Sequence, residues 1–281
     1  MIKDLVVPIT NTAGDANAVA AAVALATQEN AHLALLEFVN LPMPPAGPWG
    51  GGDLGLGDLY NTFRDDAEND AIAWRERLSR EVVTLSSEVR VIESLFMESP
   101  DIAALHARYT DLAVMTMATD LVRDAPTIRD FFASLLLESG RPLLLIPPGH
   151  AWRPPRHVVV AWQAKREAAR ALHDAMPFLH EAESIDVLEV GETWGDGGDG
   201  PQPGADIAAH LARHGLKVRV VLRPWHADSV ALSLVRHAQD TGAELIVAGG
   251  YGHSRFREWV LGGVTRELLS GTCSVPILFS H

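Results

Sequence analysis

The chain is short of cysteine, of basic residues and of long apolar runs, and each shortage removes a class of protein. A single cysteine, Cys273, rules out an internal disulfide and fits a reducing compartment. No histidine or aspartate stands at a spacing that would pair with it, so it reads as a small buried hydrophobe ahead of the last strand rather than a nucleophile. Lysine and arginine number 23 against 36 aspartates and glutamates, a formal charge of −13. That balance argues against nucleic acid or an anionic membrane as the main partner, because both select basic surfaces. A phosphate-bearing ligand therefore has to be attracted locally, against the field of the whole chain. The longest apolar stretch, Ala18 to Ala26, is far too short to span a bilayer, and its alanines read as a helix laid closely on a sheet. Lys3 and Asp4 stand directly before a strand-like run, so no secretory leader is visible and the expected location is the cytoplasm. No G-x-x-x-x-G-K-[ST] loop, nucleophile elbow, H-E-x-x-H pair or EF-hand spacing is present, so no enzyme class and no metal site is indicated.

What is present is alternation. Near-continuous apolar runs at Asp4 to Ile9, His32 to Val39, Val89 to Phe96, Asp111 to Met115 and Leu143 to Ile146 read as strands of a parallel sheet covered on both faces. Helices are expected between them: Ala16 to Asn30, Phe63 to Ser87 with Ile72, Leu78, Val82 and Leu85 inward, a helix capped near Ser99, and Phe131 to Glu138. Leu41 to Tyr60 is rich in proline and glycine and shows no period. After a proline-bearing linker, His150 to Arg156, the order restarts. Strands are expected at His157 to Trp162, Ile185 to Val190, Lys217 to Leu222, Glu244 to Ala248 and Val275 to Phe279. Helices are expected at Glu167 to Leu179, Asp206 to His214 and Ser229 to Thr241, with an acidic glycine loop from Gly191 to Gly204.

The restart is a repeat. His157 follows Asp4 by 153 residues, Glu244 follows Asp111 by 133 and Pro276 follows Pro142 by 134, the drop reflecting the longer Leu41 to Ala71 segment of the first half. The chain thus divides into two domains, 1–149 and 150–281, each a doubly wound, parallel, five-stranded α/β unit with ligands expected at the carboxyl ends of its strands. Only the second half keeps a glycine-rich loop between its fourth strand and the following helix. Gly249, Gly252, Gly262 and Gly263 lie there, ahead of Val264 and Thr265, in the strand, loop and helix order that holds phosphates on backbone N–H groups. After DLAVM the first half has no glycine until Gly140.

With that spacing and order the chain resembles the universal stress protein family in its tandem form, an adenine nucleotide alpha hydrolase-like fold. Glycine, two residues, glycine, nine residues, glycine and a small residue is the family's hallmark, here followed by Ser274-Val-Pro-Ile-Leu. The resemblance implies an intramolecular pseudo-dimer, joined through the fifth strands at Leu143 to Ile146 and Ile277 to Phe279. It also implies ATP, with magnesium, or a related adenine nucleotide as ligand of the second half, in a stress-response role without an assigned reaction. By position, Gly249 and Gly252 would approach ribose and phosphates, and Gly262, Gly263, Val264 and Thr265 would meet the triphosphate. His253 and Arg255 would add positive charge, and Ala161, Gln163 and Val190 would flank the base. Two positions depart from the ATP-binding pattern: Gly263 stands where a serine or threonine is usual, and Gln163 where an aspartate is. Each lost charge-assisted bond is worth roughly 1.5 to 3 kcal/mol, about tenfold or more in affinity.

Against the nucleotide reading stands a ligand-free interaction module, with loops 41–60 and 191–204 meeting other proteins, either as a homodimer of tandem chains or as a monomer. Lys165 and Arg166 read as a solvated helix start. His173 and His180, seven apart on one expected helix, read as a stripe rather than a metal pair. Trp49, Trp152 and Trp194 read as loop aromatics able to shape an interface.

Overall fold

The computed structural model describes residues 1–41, 56–81, 84–95, 97–118, 122–191, 204–224, 229–250, 267–269 and 273–281. The first half runs β1 (Asp4–Pro8), α1 (Asp15–Glu29), β2 (His32–Asn40), α2 (Leu56–Glu81), β3 (Ser87–Ser94), α3 (Ser99–Ala107), β4 (Leu112–Thr116), α4 (Ala125–Glu138) and β5 (Leu143–Ile146). The second runs β6 (His157–Ala161), α5 (Arg166–Asp174), α6 (Met176–Glu181), β7 (Ser184–Gly191), α7 (Ala205–Arg213), β8 (Val218–Pro224), α8 (Val230–Thr241), β9 (Leu245–Gly249) and β10 (Ile277–Ser280).

The ten strands form one sheet in the order β3-β2-β1-β4-β5-β10-β9-β6-β7-β8. Each half is parallel throughout and has the same internal order, so the repeat inferred from the offsets is a structural one. The halves meet where β10 pairs antiparallel with β5, matching Ile277 to Leu145, Leu278 to Leu144 and Phe279 to Leu143. The fifth strands therefore join as expected, and the two five-stranded units become a single sheet rather than two. Chain order reverses between β1 and β4 and between β6 and β9, the switch points whose carboxyl ends open a crevice.

Both faces of the sheet are covered, which is why its central strands read as unbroken apolar runs. On one face Leu5, Val7, Leu33 and Leu35 pack with Ala18, Ala22 and Ala26 of α1. The small methyls let that helix lie close. On the other face Val6, Leu36 and Met115 pack with α3 and α4. Phe132 of α4 meets Phe279 of β10 edge-on at 5.3 Å, carrying the core across the seam between the halves. Among the described residues no helix is long and apolar enough to cross a membrane.

Several local expectations are corrected. Leu78 points inward as expected, but Ile72 is 45% exposed, and Ala67 and Ala71 are the residues buried beside Leu78. A 3.6-residue stripe of small side chains is weaker in the sequence than isolated large ones. α2 starts at Leu56, inside the stretch read as irregular, and ends at Glu81, leaving β3 to begin at Ser87. α4 begins at Ala125 rather than Phe131, with Pro126 in its first turn, where the missing N–H costs no helical hydrogen bond. The expected helix over Glu167 to Leu179 is two helices, because Pro177 cannot donate the backbone hydrogen bond an unbroken helix would need. His173 and His180 consequently stand on different helices. Ser99 is the first helical residue rather than the cap, its hydroxyl donating to Asn40 Oδ1 at 2.6 Å. Trp152 is buried against Phe178 and offers no surface, while Trp49 and Trp194 lie outside the described residues.

Candidate functional site

The second-half crevice is built by three adjacent strands, β9, β6 and β7. In register, Val160 lies beside Val247 and Ala161 beside Leu188. Ala161 closes β6 and is half-buried, Val190 stands near the end of β7 and is half-buried, and Gly249 closes β9. Gln163, two residues past β6, is exposed. These four residues are therefore brought to one edge of the sheet, the carboxyl edge. Gly252, His253, Arg255, Gly262, Gly263, Val264 and Thr265 lie outside the described residues.

At the same edge α5 begins. Its first turn buries Glu167, whose Oε1 accepts a hydrogen bond from Arg166 Nε at 2.6 Å. Burial pushes the Glu167 carboxyl up, but the guanidinium and the helix-start backbone N–H outweigh it and hold the group below the usual glutamate range. Arg166 is thus occupied by its neighbour, in keeping with its reading as a helix-start residue.

Gly249 has a reason to be glycine that the sequence did not show. A Cβ there would lie 2.6 Å from the Glu167 carbonyl carbon and 2.7 Å from Ala168 N, so the backbone of α5 presses directly on the end of β9. The first half solves the same contact the other way round. Thr116, at the end of β4, is 133 residues before Gly249, and Gly14, at the start of α1, is 153 before Glu167. Here the glycine is on the helix: a Cβ on Gly14 would come within 3.0 Å of Thr116 Oγ1, Cγ2 and Cβ. One glycine per helix and strand contact suffices, and the two halves place it on opposite partners. The missing glycine at position 116 is therefore a packing exchange.

Two polar clusters went unnoticed in the sequence. In the second half Asp186, 2% exposed on β7, accepts Arg219 Nε at 2.9 Å and Nη2 at 2.7 Å, and lies 2.8 Å from His237 Nε2. Burial pushes its carboxyl up, yet the guanidinium and imidazole prevail and hold it below the usual aspartate range. It sits at the start of β7, away from the crevice, and its partners come from β8 and α8, too far apart in sequence to suggest a cluster. In the first half Asp15 accepts bonds from Thr10 Oγ1 at 2.7 Å, Thr10 N at 3.0 Å and Thr12 N at 3.2 Å. Cys273 is buried, burial raises its thiol, and its Sγ lies 3.2 Å from the Val275 carbonyl, as suits a packed side chain.

No family model matches the chain. Over 97 residues, 34% of this chain, it is 33% identical to a universal stress protein of Synechocystis, of which the match spans 31%, about a third of that protein's length. The structure of a universal stress protein from Archaeoglobus fulgidus superposes with a TM-score of 0.69 at 12% identity, covering 99% of this chain and 95% of that one. A Pseudomonas aeruginosa protein described as functionally unknown follows the chain at a TM-score of 0.57 and 15% identity, with 99% and 92% covered. The cytoplasmic domain of a prokaryotic cation chloride cotransporter does so at 0.51 and 10%, with 99% and 95% covered, so the fold alone carries more than one role.

Proposed function

The chain has the universal stress protein fold in tandem form over its whole length, and on that premise we propose that its second half binds an adenine nucleotide, as a stress-response module with no reaction of its own. ATP with magnesium is the first candidate. The observation that carries the reading is the meeting of Ala161, Val190 and Gly249 at the carboxyl ends of three neighbouring strands, directly before the glycine-spaced run of residues 249–263. Half-buried Ala161 and Val190 suit the flat face of a base, and Gln163 supplies a neutral polar group beside it. The glycines at 252, 262 and 263 supply backbone donors for phosphates, and His253 and Arg255 the local positive charge that a chain of net charge −13 needs.

A second reading has its own observation. Gly249 is already required by the approach of α5, so its presence does not need a ligand, and the chain then serves as a ligand-free module for protein partners, alone or as a pair. The two are separated by denaturing the purified protein, identifying released nucleotide by mass spectrometry, and titrating ATP with magnesium by calorimetry. Bound or titratable adenine nucleotide is the expected result. Neither co-purified nucleotide nor heat at millimolar ATP would sink the nucleotide reading in favour of the second.

A further inference from the structure

The first half buries a carboxyl group that no cation among the described residues answers. Glu37 is 1% exposed, on the face of β2 that carries Leu33 and Leu35 toward α1, and its Oε2 has no hydrogen-bond partner. The groups that face it are acids: Asp15 at the first residue of α1 and Asp70 on α2 both oppose a charge there. Asn11, in the loop after β1, and the Phe38 backbone pull the carboxyl down, but less than burial and the two acids push it up. The register partner on β3 is Val91, and Ile9 and Thr10, directly after β1, continue alongside β2; none of these residues titrates. The arginines of α2 nearest in sequence are engaged elsewhere, Arg64 with Glu93 and Arg75 with Glu68. Among the described residues no three histidine, cysteine or acidic side chains converge as a metal ion would need, so a proton is the ligand left to this corner.

We infer that Glu37 is a proton-binding site built into the first half, whose occupancy controls how firmly α1 and α2 hold to β2. Burial is the main cause, with repulsion from Asp70 and then Asp15 added, and together they push the carboxyl from 4.5 up to about 7. Asp15, with three donors of its own, is the better-compensated acid of the pair. The folded chain thus holds this proton more tightly than the unfolded chain. The stability it brings is complete below about pH 4.5 and is lost as pH rises through about 7. Above that point a buried negative charge, repelled by Asp70 and Asp15, lies under α2, whose inward side chains Ala67, Ala71, Trp74 and Leu78 offer it no compensating group.

The test is a pH series on the full chain. Side-chain carboxyl carbons of ¹³C-glutamate-labelled protein are followed by NMR, and urea unfolding is measured from pH 5 to 8 for the wild type and Glu37→Gln. One glutamate carbon titrating near pH 7, absent from the variant, is expected. The unfolding constant of the wild type relative to the variant should rise roughly 70-fold across the range. If Glu37→Gln does not fold, Asp70→Asn on an exposed site is titrated instead and should lower the same midpoint. The inference is overturned if every glutamate carbon titrates below about pH 5.5, or if Glu37→Gln keeps the wild-type pH dependence.

Discussion

The exchange of glycines between helix and strand makes a prediction with two signs. Gly14 has φ −82° and ψ −14°, angles open to any residue, so alanine there meets no backbone strain and its cost is purely spatial. The added methyl would come inside 3.0 Å of three Thr116 side-chain atoms, on a threonine that is 1% exposed and whose hydroxyl donates to the Met117 carbonyl at 2.9 Å. Thr116 cannot swing away without breaking that bond, so Gly14→Ala should destabilise by about 1–3 kcal/mol, the usual range for overpacking. In a Thr116→Gly background the obstacle is gone. Gly14→Ala should then be neutral or stabilise by about 0.4–1 kcal/mol, because alanine narrows the unfolded ensemble. Urea unfolding of the four proteins closes the cycle, and a coupling of about 2 kcal/mol is expected. Equal effects of Gly14→Ala in both backgrounds would refute the exchange. So would a Gly249→Ala variant as mild as Gly14→Ala, because Gly249 faces backbone atoms that no single side-chain change removes.

Restoring the usual carboxylate with Gln163→Asp should tighten ATP about tenfold in calorimetry if the second half binds nucleotide, while Gly252→Val should abolish the heat of binding. Asp186→Asn should cost about 3 kcal/mol in urea unfolding at pH 7. Because the Asp186 carboxyl is held below its ordinary range, that difference should persist down to about pH 4 and shrink as pH falls further, and a difference growing with acidity would contradict the pairing. Phe279→Ala, removing a side chain 1% exposed at the seam, should cost about 3–5 kcal/mol within a single unfolding transition, whereas two transitions with only the later one displaced would show that the halves do not share a core.

The architecture was legible because parallel strands covered on both faces are unbroken apolar runs, and DLVVP, LLLI, HVVVA and LIVA admit few other readings. Order and offset then gave the repeat, and the family resemblance implied the pairing of β5 with β10. Where the signal came from contrast rather than from runs, it misled. Ile72 has the size of a core residue and Trp152 lies in a loop, yet burial follows the alanine stripe of α2 in one case and the contact with Phe178 in the other. Pro177 alone carried the break between α5 and α6 and was outweighed by an otherwise continuous helical pattern. At the candidate site the strand ends followed from the fold, but the packing duty of Gly249 did not. It depends on how near α5 approaches, a distance fixed by tertiary structure and written in no local pattern. Glu37 was hidden for a related reason: inside LALLEFV a glutamate looks like the solvent-facing residue of a strand, and only the covering helices make it a buried acid.

The antiparallel junction of β5 and β10 has an evolutionary consequence. An edge that is already occupied by the other half of the same polypeptide cannot exchange partners with a neighbouring molecule, so the two halves are held at fixed one-to-one dosage. Each can then drift without poisoning the other. At that edge a half with its glycine on the helix and an acid buried beneath it meets a different partner, not a copy of itself.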